Sequence, residues 1–324
     1  MSLPGSPRLP FADLPAFVRA GIEAALGSRV VSATTRPGGF SPGTAAVVTC
    51  ADGSRAFVKA VGTPLNPDTH RLHRREAQIA AALPPSLPAP RLRWSGEFTD
   101  GDDIWVALTF DVVDGEPPSL PWTPASATAV VVALGELADA ATPCPVPELG
   151  TVAERLADDL AQWSALAADP PENLDPWERR HLESLTAAPA RLAASGGLDG
   201  DTLVHLDVRA DNLLVTPAGS VVVVDWPWAA RGAAWIDTVL FALDAAVHGG
   251  VDPELLVGNV PLVAKAHPSA VTDLVLGLAG MWAAAMRRPS PPGLPTVRAF
   301  QRRFHDAALA WGRRRSDFGL AGSD

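Results

Sequence analysis

The chain has 324 residues, enough for one large or two medium domains with a sizeable core. A net charge of −10 with 19% charged residues excludes nucleic-acid binding by bulk electrostatics. Two distant cysteines, Cys50 and Cys144, cannot build a disulfide framework, so a reduced, cytoplasmic setting is expected.

Residues 1–10 carry Pro and Gly and read as a mobile terminus without the basic start and apolar core of a signal peptide. From Phe11 to Leu26, Leu14, Phe17, Val18, Ile22 and Leu26 recur at helical spacing, and Gly27 closes the helix. VVSATT, AAVVTC and RAFVKAV follow as strands, with Ala51-Asp52-Gly53-Ser54 as a hairpin turn between the last two. The earlier turn, Gly38-Gly39-Phe40-Ser41-Pro42-Gly43, reads either as an ordinary glycine turn or as a cradle of backbone N–H groups for phosphate. Lys59 ends the third strand. Glu76 sits mid-helix in residues 69–83, and no opposite charge four residues away explains it.

Pro84–Pro90 break the chain, and two strands follow around Asp100-Gly101-Asp102. The sequence turns Pro-rich and then helical after residues 109–116, read as a hinge between an amino-terminal unit (11–108) and a carboxy-terminal unit (117–324). Ser126–Ala141 reads as a helix buried on most faces, and residues 150–196 as two helical stretches. Asp175, Pro176 and Glu178 supply the N-cap, first position and capping-box acid of the second. The acids of this region, Asp159 and Glu178 among them, read mainly as a solvated face. Residues 253–324 read as helices with mostly core apolar positions, and the longest apolar run, Leu274–Met286, is too short to span a bilayer. The last helix carries Arg298, Arg302, Arg303 and Arg313–Arg315 against a single acid, Asp306, and reads as solvated.

The chemistry concentrates in residues 203–225. Two β-branched runs around Pro217-Ala218-Gly219-Ser220 predict a hairpin whose open end brings Asn212 and Asp225 together. An amide oxygen and a carboxylate converging with Asp207 suit a hard cation such as Mg²⁺ bearing phosphate.

His205-x-Asp207-x-x-x-x-Asn212 followed by Asp225 resembles the catalytic loop and metal-binding Asp of the protein-kinase-like superfamily. The wording HLDVRADN then VVVVDWPWA is most similar to its aminoglycoside phosphotransferase branch, which comprises small-molecule kinases. The resemblance implies an α+β bilobal kinase-like fold, with a small antiparallel-sheet lobe and a larger helical lobe. It implies Asp207 as the base for a substrate hydroxyl, and Asn212 and Asp225 as holders of Mg²⁺ against ATP. Lys59, paired with Glu76, would reach the nucleotide phosphates. Gly38, Gly39 and Ser41 would cover those phosphates, and the backbone of Asp111 and Val113 would meet the adenine edge. His205 is read as a brace of the loop. Arg209 stands equally as a phosphate contact and as a surface cation. Asp237 is expected to accept hydrogen bonds from the catalytic-loop backbone.

Two positions depart from the branch: Leu206 stands where Gly is common, and Trp226-Pro227 follows Asp225 in place of Phe-Gly. Asp237 comes only twelve residues after Asp225, leaving no activation segment to seat a polypeptide. The expected partners are therefore a nucleotide, ATP with GTP as the alternative donor, and a small-molecule hydroxyl, with neither nucleic acid nor membrane. A catalytically silent nucleotide-binding module is the reading from another class. Among enzymes, the basic last helix disfavours a polycationic acceptor, and favours a metabolic or biosynthetic kinase over an antibiotic resistance enzyme.

Overall fold

Alternation along the strands places the first functional side chain. The computed structural model describes residues 8–39, 42–66, 68–146, 148–292 and 294–316. Helix α1 (Ala16–Leu26) precedes β1 (Val30–Thr35), β2 (Thr44–Cys50) and β3 (Arg55–Gly62); α2 (Thr69–Ala82), β4 (Leu92–Asp100) and β5 (Asp103–Phe110) follow. The strands form one antiparallel sheet in the order β1-β2-β3-β5-β4. On β3, Ala56, Val58 and Ala60 pack with Val18 and Ile22 of α1. The two-residue period sends Phe57 and Lys59 to the opposite face, where α2 lies.

Two expectations for this part are corrected. The first helix starts at Ala16, not Phe11: residues 11–13 make a 3₁₀ turn, and Pro15 takes the N-cap with an extended backbone. Residues 8–10, expected to be mobile, hold on to the sheet. Leu9 packs against the α1 cluster and its carbonyl accepts from the Thr44 hydroxyl at 2.8 Å.

Helix α3 (Pro124–Ala140) opens the rest of the chain, capped by reciprocal Thr123–Ser126 hydrogen bonds. It buries one stripe, including Val130, Leu134 and Leu137, and leaves Val132 exposed, so it is half-buried rather than buried on most faces. Residues 150–196 hold three helices, not two: α4 (Val152–Leu160), α5 (Gln162–Ala168) and α6 (Pro176–Ala194). The chain leaves helical geometry at Ala161, and Trp163 then lies fully buried with its indole N–H on the Leu276 carbonyl at 2.7 Å. Strands β6 (Thr202–Val204) and β9 (Ala230–Gly232) pair with each other. Between them in the chain, β7 (Leu213–Val215) and β8 (Val221–Val223) form the hairpin that the β-branched runs predict. Helices α7 (Ile236–Gly249), α8 (Pro253–Val257), α9 (Pro261–Ala264), α10 (Pro268–Ala285) and α11 (Val297–Arg315) complete the fold.

Helix α10 reaches the length and apolarity of a bilayer span, but 67% of it is buried inside the protein, where it packs against α4, α5, α6 and α11. Glu178 does not join a solvated face. It is 1% exposed on α6, and its carboxylate lies 3.2 Å from Nε2 of His305 on α11. His305 Nδ1 sits 3.0 Å from the Ala279 carbonyl of α10, so a doubly protonated ring joins three helices. Burial would lower the His305 pKa, but the Glu178 carboxylate overrides it and holds it above the ordinary value.

A histidine with a raised folded-state pKa adds stability that is full below its unfolded pKa and is lost as pH rises through the folded one. His305→Ala should therefore cost about 3 kcal/mol at pH 6, because it strands a buried carboxylate. That deficit should shrink at pH 9; urea denaturation of both proteins at the two pH values checks it.

Candidate active site

The loop between β6 and β7 is held by two carboxylates on one face of α7. Asp237 accepts from the backbone N–H of His205 at 2.7 Å and of Leu206 at 2.9 Å. Two helical turns later Asp244, fully buried, accepts from the N–H of Ala210 at 3.2 Å and the Trp122 indole at 2.8 Å. Burial pushes the Asp237 carboxyl up to about 6 against the pull of its two amide donors. The loop starts in a costly conformation, for Leu206 has φ 66°. Asp225, after the hairpin, has φ 68°. Non-glycine residues persist in that region only where surrounding contacts over-determine them.

His205 is fully buried. Its Nδ1 accepts from the Asp207 N–H at 3.2 Å, so Nε2 carries the proton, facing the Val224 carbonyl at 3.0 Å. Burial holds its pKa down at about 4, which keeps the ring neutral. Asn212 donates through Nδ2 to the Asp207 carbonyl at 2.8 Å and its carboxylate at 2.9 Å. Burial drives the Asp207 carboxyl up to about 7, partly offset by Arg209, whose Nε lies 3.2 Å away. Arg209 also lies 3.3 Å from Asp211 and stacks over Phe300. It is thus neither a surface cation nor, in this arrangement, uncommitted.

Across the cleft, the Lys59 ammonium meets both Glu76 carboxylate oxygens at 2.7 and 2.8 Å and Asp225 at 2.7 Å. Burial would lower the Lys59 pKa; the charges of Asp225 and Glu76 override it and hold it raised. Burial would likewise raise Asp225, but Lys59 brings it to about 2. Helix α2 is fastened to the segment after Asp225 by Arg75, which donates to the Pro227 and Ala229 carbonyls at 2.8 Å each.

Gly38 and Gly39 both take positive φ, 100° and 71°, as a tight glycine turn requires. Ser41 lies outside the described residues. Arg8 donates to the Gly38 carbonyl at 2.7 and 3.1 Å and feels the charges of Asp225 and Asp211, so it stands inside the cleft. Sequence reasoning missed it because a lone arginine in a Pro-rich terminus carries no pattern. Arg75 and Asp244 were missed for the same reason: their partners are backbone groups and residues distant in the chain. Of the hinge pair, the Asp111 N–H is spent on the Arg91 carbonyl at 2.9 Å and its side chain on Arg93. The Val113 N–H has no backbone partner among the described residues.

Because Asn212 spends its amide nitrogen on Asp207, Oδ1 is the donor it has left for a cation, beside the Asp225 carboxylate. Two oxygens suit Mg²⁺, which keeps waters and substrate phosphates for its other positions. Among the described residues no group of three or more His, Cys, Asp or Glu could hold a metal. A cavity of about 360 Å³ opens on the other side of Asp207, between α4, α7, α10 and α11.

The model of the phosphotransferase enzyme family matches residues 32–261 of the chain. No curated protein matches it in sequence. Among solved structures, the choline kinase LicA from Streptococcus pneumoniae superposes with TM-score 0.58 at 12% identity, covering 91% of this chain and 98% of its own. The aminoglycoside phosphotransferase APH(4)-Ia, in ternary complex with AMP-PNP and hygromycin B, gives 0.55 at 14% identity, covering 95% and 99%. The macrolide 2'-phosphotransferase MphH from Brachybacterium faecium gives 0.52 at 18% identity, covering 89% and 96%. At these identities the likeness is one of fold, which is the kinase-like α+β fold.

Removing Asp237 leaves two buried amides without an acceptor, at about 1–3 kcal/mol for each unsatisfied group. Asp237→Ala should lower the unfolding free energy by at least about 2 kcal/mol. Chemical denaturation checks this, and a loss under about 0.5 kcal/mol would mean that the anchor does not matter.

Proposed function

The chain belongs to the phosphotransferase enzyme family and is a phosphotransferase with an alcohol group as acceptor; from that premise we propose that it moves the γ-phosphoryl group of ATP to a hydroxyl of a small molecule. The observation that carries this reading is the convergence of Lys59, Glu76 and Asp225 on one side of the loop and of Asp207 and Asn212 on it. Phosphoryl transfer asks the protein for alignment and charge neutralisation, and little covalent chemistry.

Asp207 is the residue that orients the acceptor hydroxyl and takes its proton. The acceptor oxygen forms a bond to the γ-phosphorus while the bond to the bridging oxygen breaks, and ADP leaves. Asn212 and Asp225 would hold Mg²⁺, which neutralises charge on the phosphate oxygens when bound. Glu76 fixes the Lys59 ammonium, which in this reading turns part of its charge to the phosphates when nucleotide enters. The glycine turn and Arg8 lie where the same phosphates would pass, and the Val113 N–H is the amide offered to the base. Arg209, committed to Asp207 and Asp211, serves to set the Asp207 carboxylate rather than to bind phosphate itself. We place the enzyme in metabolism or biosynthesis rather than antibiotic inactivation, because the cavity at Asp207 is basic.

Asp207→Asn keeps the shape of the loop and removes the base. Turnover with the cognate acceptor should fall about 10²–10⁴-fold, while binding of Mg²⁺·ATP persists. Lys59→Ala should weaken nucleotide binding as well as kcat. ADP release and calorimetric nucleotide binding check both, and undiminished turnover in Asp207→Asn would reject the assignment.

A further inference from the structure

The cavity beside Asp207 has walls and charges of a particular kind. Trp228, Met281, Trp282 and Phe300 give it an apolar, aromatic lining. Leu206 belongs to that lining at a φ of 66°, a conformation that glycine would adopt without strain. A leucine kept there supplies apolar surface next to Asp207 that glycine could not.

The charges do not cancel. Arg155, Arg209, Arg288 and Arg298 line the cavity with only Asp159 and Asp207 as acids. Arg209 is balanced by Asp207 and Asp211. The other three hydrogen-bond or stack on neutral groups, and Asp159 is the acid of the lining whose charge reaches Arg155 and Arg288. Arg298 donates to the Pro289 carbonyl and to Gln301, Arg288 donates to Gln162, and Arg155 lies over the Trp228 ring at 4.4 Å. Among the described residues, none of these three guanidinium groups comes within 4 Å of a carboxylate. The Arg155 Nε is buried without a hydrogen-bond partner. Burial and the neighbouring Arg288 charge both hold Arg298 below its ordinary pKa, so these cations crowd one another.

We propose that the acceptor is an alcohol with an apolar body and an anionic oxyacid group, the anion received by Arg155, Arg288 and Arg298 while the hydroxyl lies at Asp207. Planar guanidinium forks match carboxylate and phosphate oxygens, and the aromatic wall takes the body between them. A polycationic acceptor would instead face three arginines against one remaining carboxylate, Asp159. The proposal rests on Asp207 being the base of phosphoryl transfer, and its test separates the two claims.

The probes are the para-hydroxymethyl derivatives of benzoate, phenylphosphonate, methyl benzoate and benzylamine, with ω-hydroxydodecanoate and its amino-alcohol counterpart for a longer body. Trp228 and Trp282 line the cavity, so tryptophan emission reads binding without turnover; ADP release reads transfer. The anionic members should bind about 10-fold or more tighter than the ester and the amines, and added salt should erode that margin. The benzoate and phosphonate arms tell which oxyacid fits. In Arg155→Gln and Arg298→Gln the margin should fall towards parity while ester affinity stays within about 2-fold, which shows that the fold is kept.

The proposal is overturned if an amine binds as tightly as its anionic partner. It is overturned equally if the margin survives both substitutions, or if no anionic probe binds wild-type protein that binds Mg²⁺·ATP. If anionic probes bind with the expected margin and none is phosphorylated, the anion site stands and the role given to Asp207 falls.

Discussion

One ammonium group holds the two halves of the site together. Lys59 on β3 pairs with Glu76 on α2, both drawn out of bulk water, and with Asp225 beyond β8, whose carboxylate is 40% exposed. Taking a carboxylate from water is costly, and breaking a buried pair commonly costs about 3–5 kcal/mol because one charge is left uncompensated. Burial pushes the Glu76 carboxyl up against the pull of the lysine, while the lysine holds Asp225 down. The sheet, α2 and the hairpin are thereby set relative to one another before any nucleotide arrives. Arg75 reinforces the same registration from a neighbouring position on α2, bonding only backbone carbonyls after Asp225. Its grip runs through backbone carbonyls alone, and its charge is felt by Arg155.

The catalytic loop is stabilised differently. Its conformation places Leu206 in the left-handed region, which costs roughly 1–2 kcal/mol. Asp237 and Asp244 offset that cost from one face of α7, each accepting loop amides whose alternative partner would be water. The result is a rigid frame in which Asp207 is neither free to rotate nor well solvated. Asn212 grips it from one side and Arg209 from the other. In the role proposed for Asp207, a carboxylate so held costs little further reorganisation when a hydroxyl presents its proton, which is where preorganised sites gain their rate.

What the sequence made legible follows from the range of the interactions. Asp207, Asn212 and Asp225 are set by a loop and a hairpin, so spacing alone brings them together. Lys59 and Glu76 needed the resemblance, since nothing local says that a strand lysine and a helix acid will meet. Where each helix begins and ends was misread at Pro15 and Ala161, because periodicity continues through a break that only backbone geometry reveals. The acids of residues 150–196 were grouped by composition, and composition does not distinguish an exposed charge from one that has a buried partner. Glu178 meets His305, more than a hundred residues away in the chain.

The arginines of the carboxy-terminal helices show why that distinction matters for function. Read as a block they look like one solvated basic face. In the fold they separate by partner. Arg314 and Arg315 pair with Asp252 and Glu254 at the far end of α11, and Arg303 donates to the Val247 carbonyl. Those groups are satisfied within the protein and need nothing else. Arg298, at the start of the same helix, has only neutral acceptors, and it shares a cavity with Arg155 and Arg288, which feel the single charge of Asp159. Cations that outnumber the acids around a cavity repel one another, and Arg298 feels the Arg288 charge. A fold retains such a cluster at the mouth of a reaction centre when a ligand supplies the missing charge. The same helix thus ends in structural ion pairs and begins where we propose a recognition site, and partner chemistry, not arginine count, separates the two.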